Sequence, residues 1–266
     1  MPDGRQREFR IETGKGRIFA KAWNLETGTE PIILFHDSLG CVEVWRDFPL
    51  QLARITRRSV IAYDRLGFGK SDAYPGALPL SFVRDEARGA FSALLNSLGV
   101  NNFIAFGHSV GGGMAVVTAG LFPGRCRALI TESAQAFVED RTLEGIRQAE
   151  RGFREPGQMP RLQRYHGDKA EWVLRAWTGT WLSEGFASWA LDEDLPKVRC
   201  PVLALHGAKD EYGSAEHPRR IASLSSGPAT MKILENCGHL PHREQEAAVL
   251  DAVTDFLRES AQSLTI

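Results

Sequence analysis

Neither sign of charge is in excess. Thirty-two basic residues stand against 33 acidic ones, a formal net charge of −1 over 266 residues. A chain so balanced has no electrostatic footprint for nucleic acid or an anionic membrane. Cysteine is scarce: Cys41, Cys126, Cys200 and Cys237 are scattered, with no C-x-x-C pair. That excludes a disulfide framework, which a chain of this length does not need, and points to a reducing compartment. No apolar run reaches membrane-spanning length. Residues 1–10 are polar and basic, without the apolar stretch of a secretory leader. Together these absences predict a cytoplasmic protein whose partner is a small-molecule substrate, with neither nucleic acid nor membrane involved. Monomer and homodimer remain equally open.

What is present is an ordinary globular composition. Hydrophobic residues make up 43% and charged residues 24%, which excludes disordered, collagen-like and membrane-bundle chains. The length suffices for one large domain or two small ones with a sizeable core.

Short β-rich runs alternate with helical patterns. Residues 9–13 and 17–23 read as strands joined by Gly14-Lys15-Gly16, a hairpin signal. Residues 31–36, 59–63, 102–107, 127–131 and 201–206 are compact apolar runs, as strands buried on both faces are. Residues 230–234 read as a last strand. From Ser81 onward, Ala87, Ala90, Phe91, Leu94 and Leu98 share one helical face, as Leu250, Val253, Phe256 and Leu257 do near the end. Residues 110–121 are small and apolar all round, the pattern of a helix buried against a sheet. The order predicts an α/β fold, a mostly parallel sheet with helices on both faces.

Residues 134–196 interrupt the alternation. They offer no strand and hold Trp172, Trp177, Trp181 and Trp189, four of the six tryptophans. An ordinary helical packing layer would read this way. So would a helical cap inserted over a pocket, and that reading is preferred because strand-like sequence resumes at once at Cys200-Pro201. The division expected is a core from 1–133 and 197–266, with 134–196 as the cap.

The chemistry centres on Gly107-His108-Ser109-Val110-Gly111. Five loose G-x-S-x-G positions are weak evidence alone, but this one follows a buried strand and opens a Gly-rich helix. A strand–turn–helix of that kind is the known nucleophile elbow. It forces strained backbone angles on Ser109 and lifts the hydroxyl out of the sheet. A serine hydroxyl needs a base, and the base needs an acid. His239, in the Asn236–His239 loop after the last strand, can swing over the sheet edge. His242 is its rival, otherwise a surface or capping residue. His108 is read as packing or hydrogen-bonding locally, and His36 and His206 as structural. Nothing assigns His166 or His217 to the base.

The acid should follow the strand at 201–206, which selects Asp210. Glu211 is expected to point elsewhere, and Glu132 is a second possible acid. The oxyanion donors expected are the N–H groups of Val110 and of Ser38, the latter in His36-Asp37-Ser38-Leu39-Gly40. Leu39, His108, Trp177, Trp181 and Leu240 are candidate pocket residues. Gly69-Lys70-Ser71 is no phosphate loop, because the first Gly position is Asp64. Cys237, His239 and His242 match no common zinc spacing, and Gly111–Gly113 lacks a dinucleotide fingerprint. No cofactor and no metal are expected.

These residues together resemble the α/β-hydrolase superfamily over almost the whole chain. The elbow, the loop at 36–40, Asp64-Arg65-Leu66-Gly67-Phe68-Gly69-Lys70-Ser71, the loop at 206–211 and the loop at 237–239 occur in that family's order. The resemblance implies an eight-stranded sheet with a helical cap, Ser109 as nucleophile, Asp210 as acid, His239 as base, and Ser38 and Val110 as oxyanion donors. Within the superfamily, residues 136–147, 168–172 and 206–210 look most like the biphenyl hydrolase-like, or valacyclovirase, group. Two positions depart from it. Val110 stands where valacyclovirases place an acidic residue for a substrate's α-ammonium, so selectivity for amino-acid esters is not implied. Asp37 stands where Gly usually follows the oxyanion-loop His.

The expected function is a carboxylesterase-like serine hydrolase of esters, thioesters or lactones, with an apolar or aromatic substrate. Ser109 counts against dehalogenases and epoxide hydrolases, whose nucleophile is Asp. Carbon–carbon hydrolysis of ring-cleavage products and cofactor-free perhydrolysis are alternatives on the same triad. A triad-bearing ligand receptor with negligible turnover is the alternative of another class.

Overall fold

The computed structural model describes residues 6–25 and 28–263. Part of the leader reading, residues 1–5, lies outside the described residues.

Eight strands form one sheet. They are β1 (Gln6–Thr13), β2 (Gly16–Trp23), β3 (Ile32–Phe35), β4 (Val60–Asp64), β5 (Phe103–His108), β6 (Cys126–Glu132), β7 (Val202–Gly207) and β8 (Ala229–Leu234). Their spatial order is β1-β2-β4-β3-β5-β6-β7-β8. The β1–β2 and β2–β4 pairs are antiparallel, and every later pair is parallel. The strands therefore lie where the apolar runs predict, within a residue or three at their ends.

The first helices are α1 (Phe48–Thr56), α2 (Phe82–Arg88), α3 (Ala90–Ser97) and α4 (Val110–Leu121). Next come α5 (Asp140–Gly152), α6 (Gln158–His166) and α7 (Ala170–Trp181), and then α8 (Glu216–Leu224), α9 (Pro241–Glu244) and α10 (Glu246–Ser263). The single apolar face expected after Ser81 is split between α2 and α3. The chain turns between them at Gly89, whose φ of −95° and ψ of −102° leave helical geometry.

Period-two alternation assigns the two faces of the sheet. Ile33, Phe35, Ile61, Ala105, Leu129 and Val202 pack with α2, α3 and α4. Ile32, Leu34, Val60, Ile104, Phe106 and Leu203 pack with α1 and α10 on the other side. Each such side chain removed from water contributes about 1.5–3 kcal/mol, so covering both faces fixes the central strands. The edge strand β8 is mostly exposed, with only Leu234 buried.

Residues 134–196 carry α5, α6 and α7, with one isolated bridge, Phe137 to Ala190, and no named strand. Their aromatic content is used in two ways. Trp181, Phe186 and Trp189 join the main core. Leu162, Ala170 and Val173 form a small cluster with Phe68 from the β4–α2 connection.

Among the described residues, no helix is long and apolar enough to cross a membrane. All four cysteines are free thiols and buried.

Candidate active site

Ser109 sits between β5 and α4 with φ 56° and ψ −129°. A non-glycine residue in that region is strained by about 1–3 kcal/mol. The strain persists because its neighbours leave no other path. A side chain at Gly107 would meet the Gly111 carbonyl oxygen at 2.2 Å, and one at Gly111 would meet the Phe35 carbonyl oxygen at 2.3 Å. The turn presents the Ser109 hydroxyl to a cavity of about 200 Å³. There Oγ donates to Gln135 Oε1 at 3.2 Å. Val110 opens α4, and the first N–H groups of a helix have no intrahelical acceptor.

Asp210 and His239 are a buried pair. His239 Nδ1 lies 2.9 Å and 2.8 Å from the two Asp210 carboxylate oxygens. Asp210 Oδ1 also accepts the Tyr212 N–H at 2.7 Å. Burial opposes a charge on His239, but the hydrogen bond and negative charge of Asp210 outweigh it, and its pKa is raised above the usual 6.5. Burial likewise pushes the Asp210 carboxyl up, and the bond from His239 outweighs that, holding it below its ordinary 3.8. The pair thus favours an imidazolium once a proton arrives.

The loop carrying His239 is held from three sides. It passes over Gly207, where a side chain would meet the Gly238 carbonyl oxygen at 2.1 Å. Glu244 accepts the Gly238 N–H at 2.6 Å and the Leu240 N–H at 3.1 Å. His108 Nε2 donates to the His239 carbonyl oxygen at 2.8 Å. Burial pushes the His108 pKa down to about 4, so this ring is neutral and acts as a tether.

The 36–40 loop lies opposite. His36 Nδ1 donates to the Asp37 carbonyl oxygen at 2.8 Å, and its Nε2 accepts the Arg65 N–H at 3.1 Å. Arg65 Nη2 reaches the same Asp37 carbonyl at 2.7 Å. Asp37 needs no left-handed backbone. Its carboxylate folds instead over Gly40, where a side chain would meet Asp37 Oδ1 at 1.9 Å. Asp37 is therefore accommodated by Gly40. His166 bridges this loop to α6: it accepts the Gly69 N–H at 2.9 Å, and its Nε2 lies 3.0 Å from the Leu39 carbonyl oxygen.

The Ser109 cavity is lined by Ser38, Leu39, Trp177, Trp181, His239 and Leu240, all singled out from sequence. It is also lined by Gln135, Thr142, Ile146 and Tyr212, which were not, and by Asp37 and Glu211, which the sequence singled out in other roles. Glu211 was expected to point elsewhere; it lines the pocket, carried there by the turn that buries Asp210. His108 does not line this cavity. It belongs to a neighbouring one of about 310 Å³, because its side chain turns away from the hydroxyl to reach the His239 carbonyl.

The rival acid and the rival base pair with each other. His242 Nδ1 lies 2.6 Å from Glu132 Oε2, and both residues are buried. This corrects the surface or capping role expected of His242. The atoms of His108, Glu132 and His242 lie within 4.8 Å of one another, a set that could hold a metal ion. His206 bonds to the Gly213 carbonyl, and His217 to the Ala136 N–H and Glu139, so both hold loops.

Residues 32–252 are matched by a protein-family model described as the alpha/beta hydrolase family. The chain belongs to the alpha/beta hydrolase family. Among curated relatives, the 2-hydroxy-6-oxo-2,4-heptadienoate hydrolase of Pseudomonas putida is 27% identical over 251 residues, covering 85% of this chain and 88% of that protein. Serine hydrolase BPHL of Homo sapiens is 28% identical over 195 residues, covering 69% of this chain and 64% of its own length, less than two thirds. The fold is shared with a solved membrane phospholipase A, described as a bacterial virulence factor, at a TM-score of 0.76 and 21% identity over 96% of this chain and 87% of that one. It is shared too with the 2-hydroxy-6-oxo-6-phenylhexa-2,4-dienoate hydrolase of Rhodococcus sp. strain RHA1, at a TM-score of 0.74 and 18% identity over 96% and 100% of the two chains. As a member of this family the chain is a hydrolase, similar both to a protein named as a serine hydrolase and to one named as a hydroxy-oxo-dienoate hydrolase.

Proposed function

We propose that this hydrolase cleaves esters, thioesters or lactones of small to medium carboxylic acids, with Ser109 as nucleophile, His239 as base and Asp210 as acid. The observation that carries the reading is that His239, held from behind by buried Asp210, lines the same cavity as Ser109. Ser109 Oγ attacks the carbonyl carbon as His239 Nε2 takes its proton. The new Oγ–C bond forms and the carbonyl oxygen becomes an oxyanion, received by the Val110 and Ser38 N–H groups. On collapse the C–O bond to the alkoxy group breaks, and the His239 proton leaves with the alcohol. Water, deprotonated by His239, then releases the acid and restores Ser109. Trp177, Trp181, Ile146 and Leu240 favour an apolar or aromatic substituent.

The test is hydrolysis of p-nitrophenyl esters from acetate to octanoate, with wild type and Ser109→Ala side by side. Turnover in wild type that falls about 10⁴-fold or more in the variant is expected. Equal rates in both proteins would overturn the esterase reading. A second reading, carbon–carbon hydrolysis of ring-cleavage products, has one specific observation behind it: the Pseudomonas putida relative, matched over 85% of this chain, is named a 2-hydroxy-6-oxo-2,4-heptadienoate hydrolase. Loss of a dienol chromophore, with no p-nitrophenyl ester turnover, would select it.

A further inference from the structure

Three arginines reach the 310 Å³ cavity without an acid of their own. They are Arg46 from the loop before α1, Arg161 from α6 and Arg243 from α9. Among the described residues none of the three forms a salt bridge, although arginines elsewhere on the molecule do so repeatedly. Arg243 is half-buried; its Nη2 donates to the Val44 carbonyl oxygen, while its Nε is buried with no hydrogen-bond partner. Burial and the like charge of Arg46 both push its pKa down. A partly desolvated cation beside another cation is costly unless an anion arrives. Guanidinium groups match the planar oxygen pairs of carboxylates and phosphates.

The cavity adjoins catalytic space. It shares Asp37, Leu39 and Leu240 with the Ser109 pocket. Among the described residues Asp37 is the one carboxylate in its lining, and it stands on that shared wall. An anion would be repelled from the wall and drawn to the arginine side. The other titratable groups facing the cavity include His36 and His108, whose pKa values burial lowers, and His242, whose Nδ1 is taken by Glu132. A volume of 310 Å³ equals the liquid share of roughly ten waters, enough for a short carboxylate- or phosphate-bearing chain.

We propose that this cavity is an anion subsite, in which Arg46, Arg161 and Arg243 hold a carboxylate or phosphate group of a substrate whose scissile bond lies at Ser109. The proposal rests on the hydrolase reading above only for the position of the scissile bond. It names a class of substrate: a molecule with an apolar or aromatic part under Trp177 and Trp181 and a terminal anion beyond Leu39 and Leu240.

The test has two arms. Calorimetric titration of the protein with glutarate, and separately with inorganic phosphate, measures anion binding directly; the tighter of the two identifies the group. Binding should weaken about tenfold in Arg243→Gln and in Arg161→Gln, and should weaken with added salt. Arg161 is exposed on α6, so its variant reports on the site even if the Arg243 change disturbs the fold. In the second arm, the preference for the p-nitrophenyl monoester of glutarate over p-nitrophenyl butyrate should fall about tenfold in the same variants. No binding of either anion, or binding indifferent to both substitutions, overturns the subsite. Arginine-dependent anion binding in a protein that cleaves no ester keeps the subsite and removes the esterase reading.

Discussion

Two buried histidine–carboxylate pairs lie side by side at the carboxyl edge of the sheet, and only one of them shares a cavity with Ser109. His239 and Asp210 line or support the Ser109 pocket, with the Tyr212 ring 4.8 Å from the imidazole. His242 and Glu132 lie behind, with the ring of His242 packed 4.7 Å from Trp45 and 5.5 Å from Phe48. His108 stands between the two, 5.1 Å from His239 and 5.0 Å from His242. The chemistry of the pairs is nearly the same; their surroundings differ. A histidine that is to move protons needs one ring nitrogen held by an acid and the other turned to the reacting group. A histidine packed against aromatic rings with its acid buried behind it serves the core.

The largest effects should separate the two bases. His239→Ala is expected to lower ester turnover about 10⁴-fold or more with the fold intact. His242→Ala should retain most turnover and instead lose about 3–5 kcal/mol of stability in urea unfolding, because it strands a buried carboxylate. The reverse pattern would exchange the roles of the pairs.

The acids come next. Asp210→Asn should lower kcat about 10³–10⁴-fold, far more than Glu132→Gln does. Equal losses would mean that both pairs serve the same proton.

A smaller effect is expected in the pH profile. Activity needs neutral His239, and its pKa is raised above 6.5. The acid limb of kcat/KM should therefore have its midpoint above that value. In residual activity of Asp210→Asn the midpoint should move down, since the raising carboxylate is gone while burial remains. A midpoint that does not move would detach Asp210 from the base. The other pair titrates in stability instead. Burial pushes the Glu132 carboxyl up, but His242 outweighs it, and its pKa lies below the ordinary 4.5. A depressed acid stabilises above its unfolded value and loses that contribution as pH falls through the folded one.

The smallest effect concerns the pocket alone. Trp177→Ala enlarges the space beside Tyr212, with which Trp177 packs at 6.0 Å. It should shift the chain-length optimum of p-nitrophenyl esters toward longer acids, by a few-fold in kcat/KM. An unchanged optimum would remove Trp177 from substrate contact.

Much of the fold was legible because local pattern and global architecture agree. Apolar runs such as those at 31–36 and 201–206 read as central strands, and the strands found there are buried along their whole length. The elbow was legible because Ser109 needs Gly107 and Gly111 at fixed spacing. Gln135, Tyr212 and Glu244 gave no such signal. Gln135 merely follows β6, and Tyr212 and Glu244 act through a turn and a short helix whose course depends on what they pack against.

By itself the sequence determined the strand runs, the position of the elbow and the chain order of serine, acid and histidine loops. Each of these is set by periodicity or by backbone sterics within a few residues. Only the tertiary structure decided which histidine meets which carboxylate, because those pairs span 29 and 110 positions along the chain. It alone brought Arg46, Arg161 and Arg243 to one cavity. Contacts of that kind depend on how whole elements pack, and neither spacing nor composition encodes the distance between two loops that meet over the edge of a sheet.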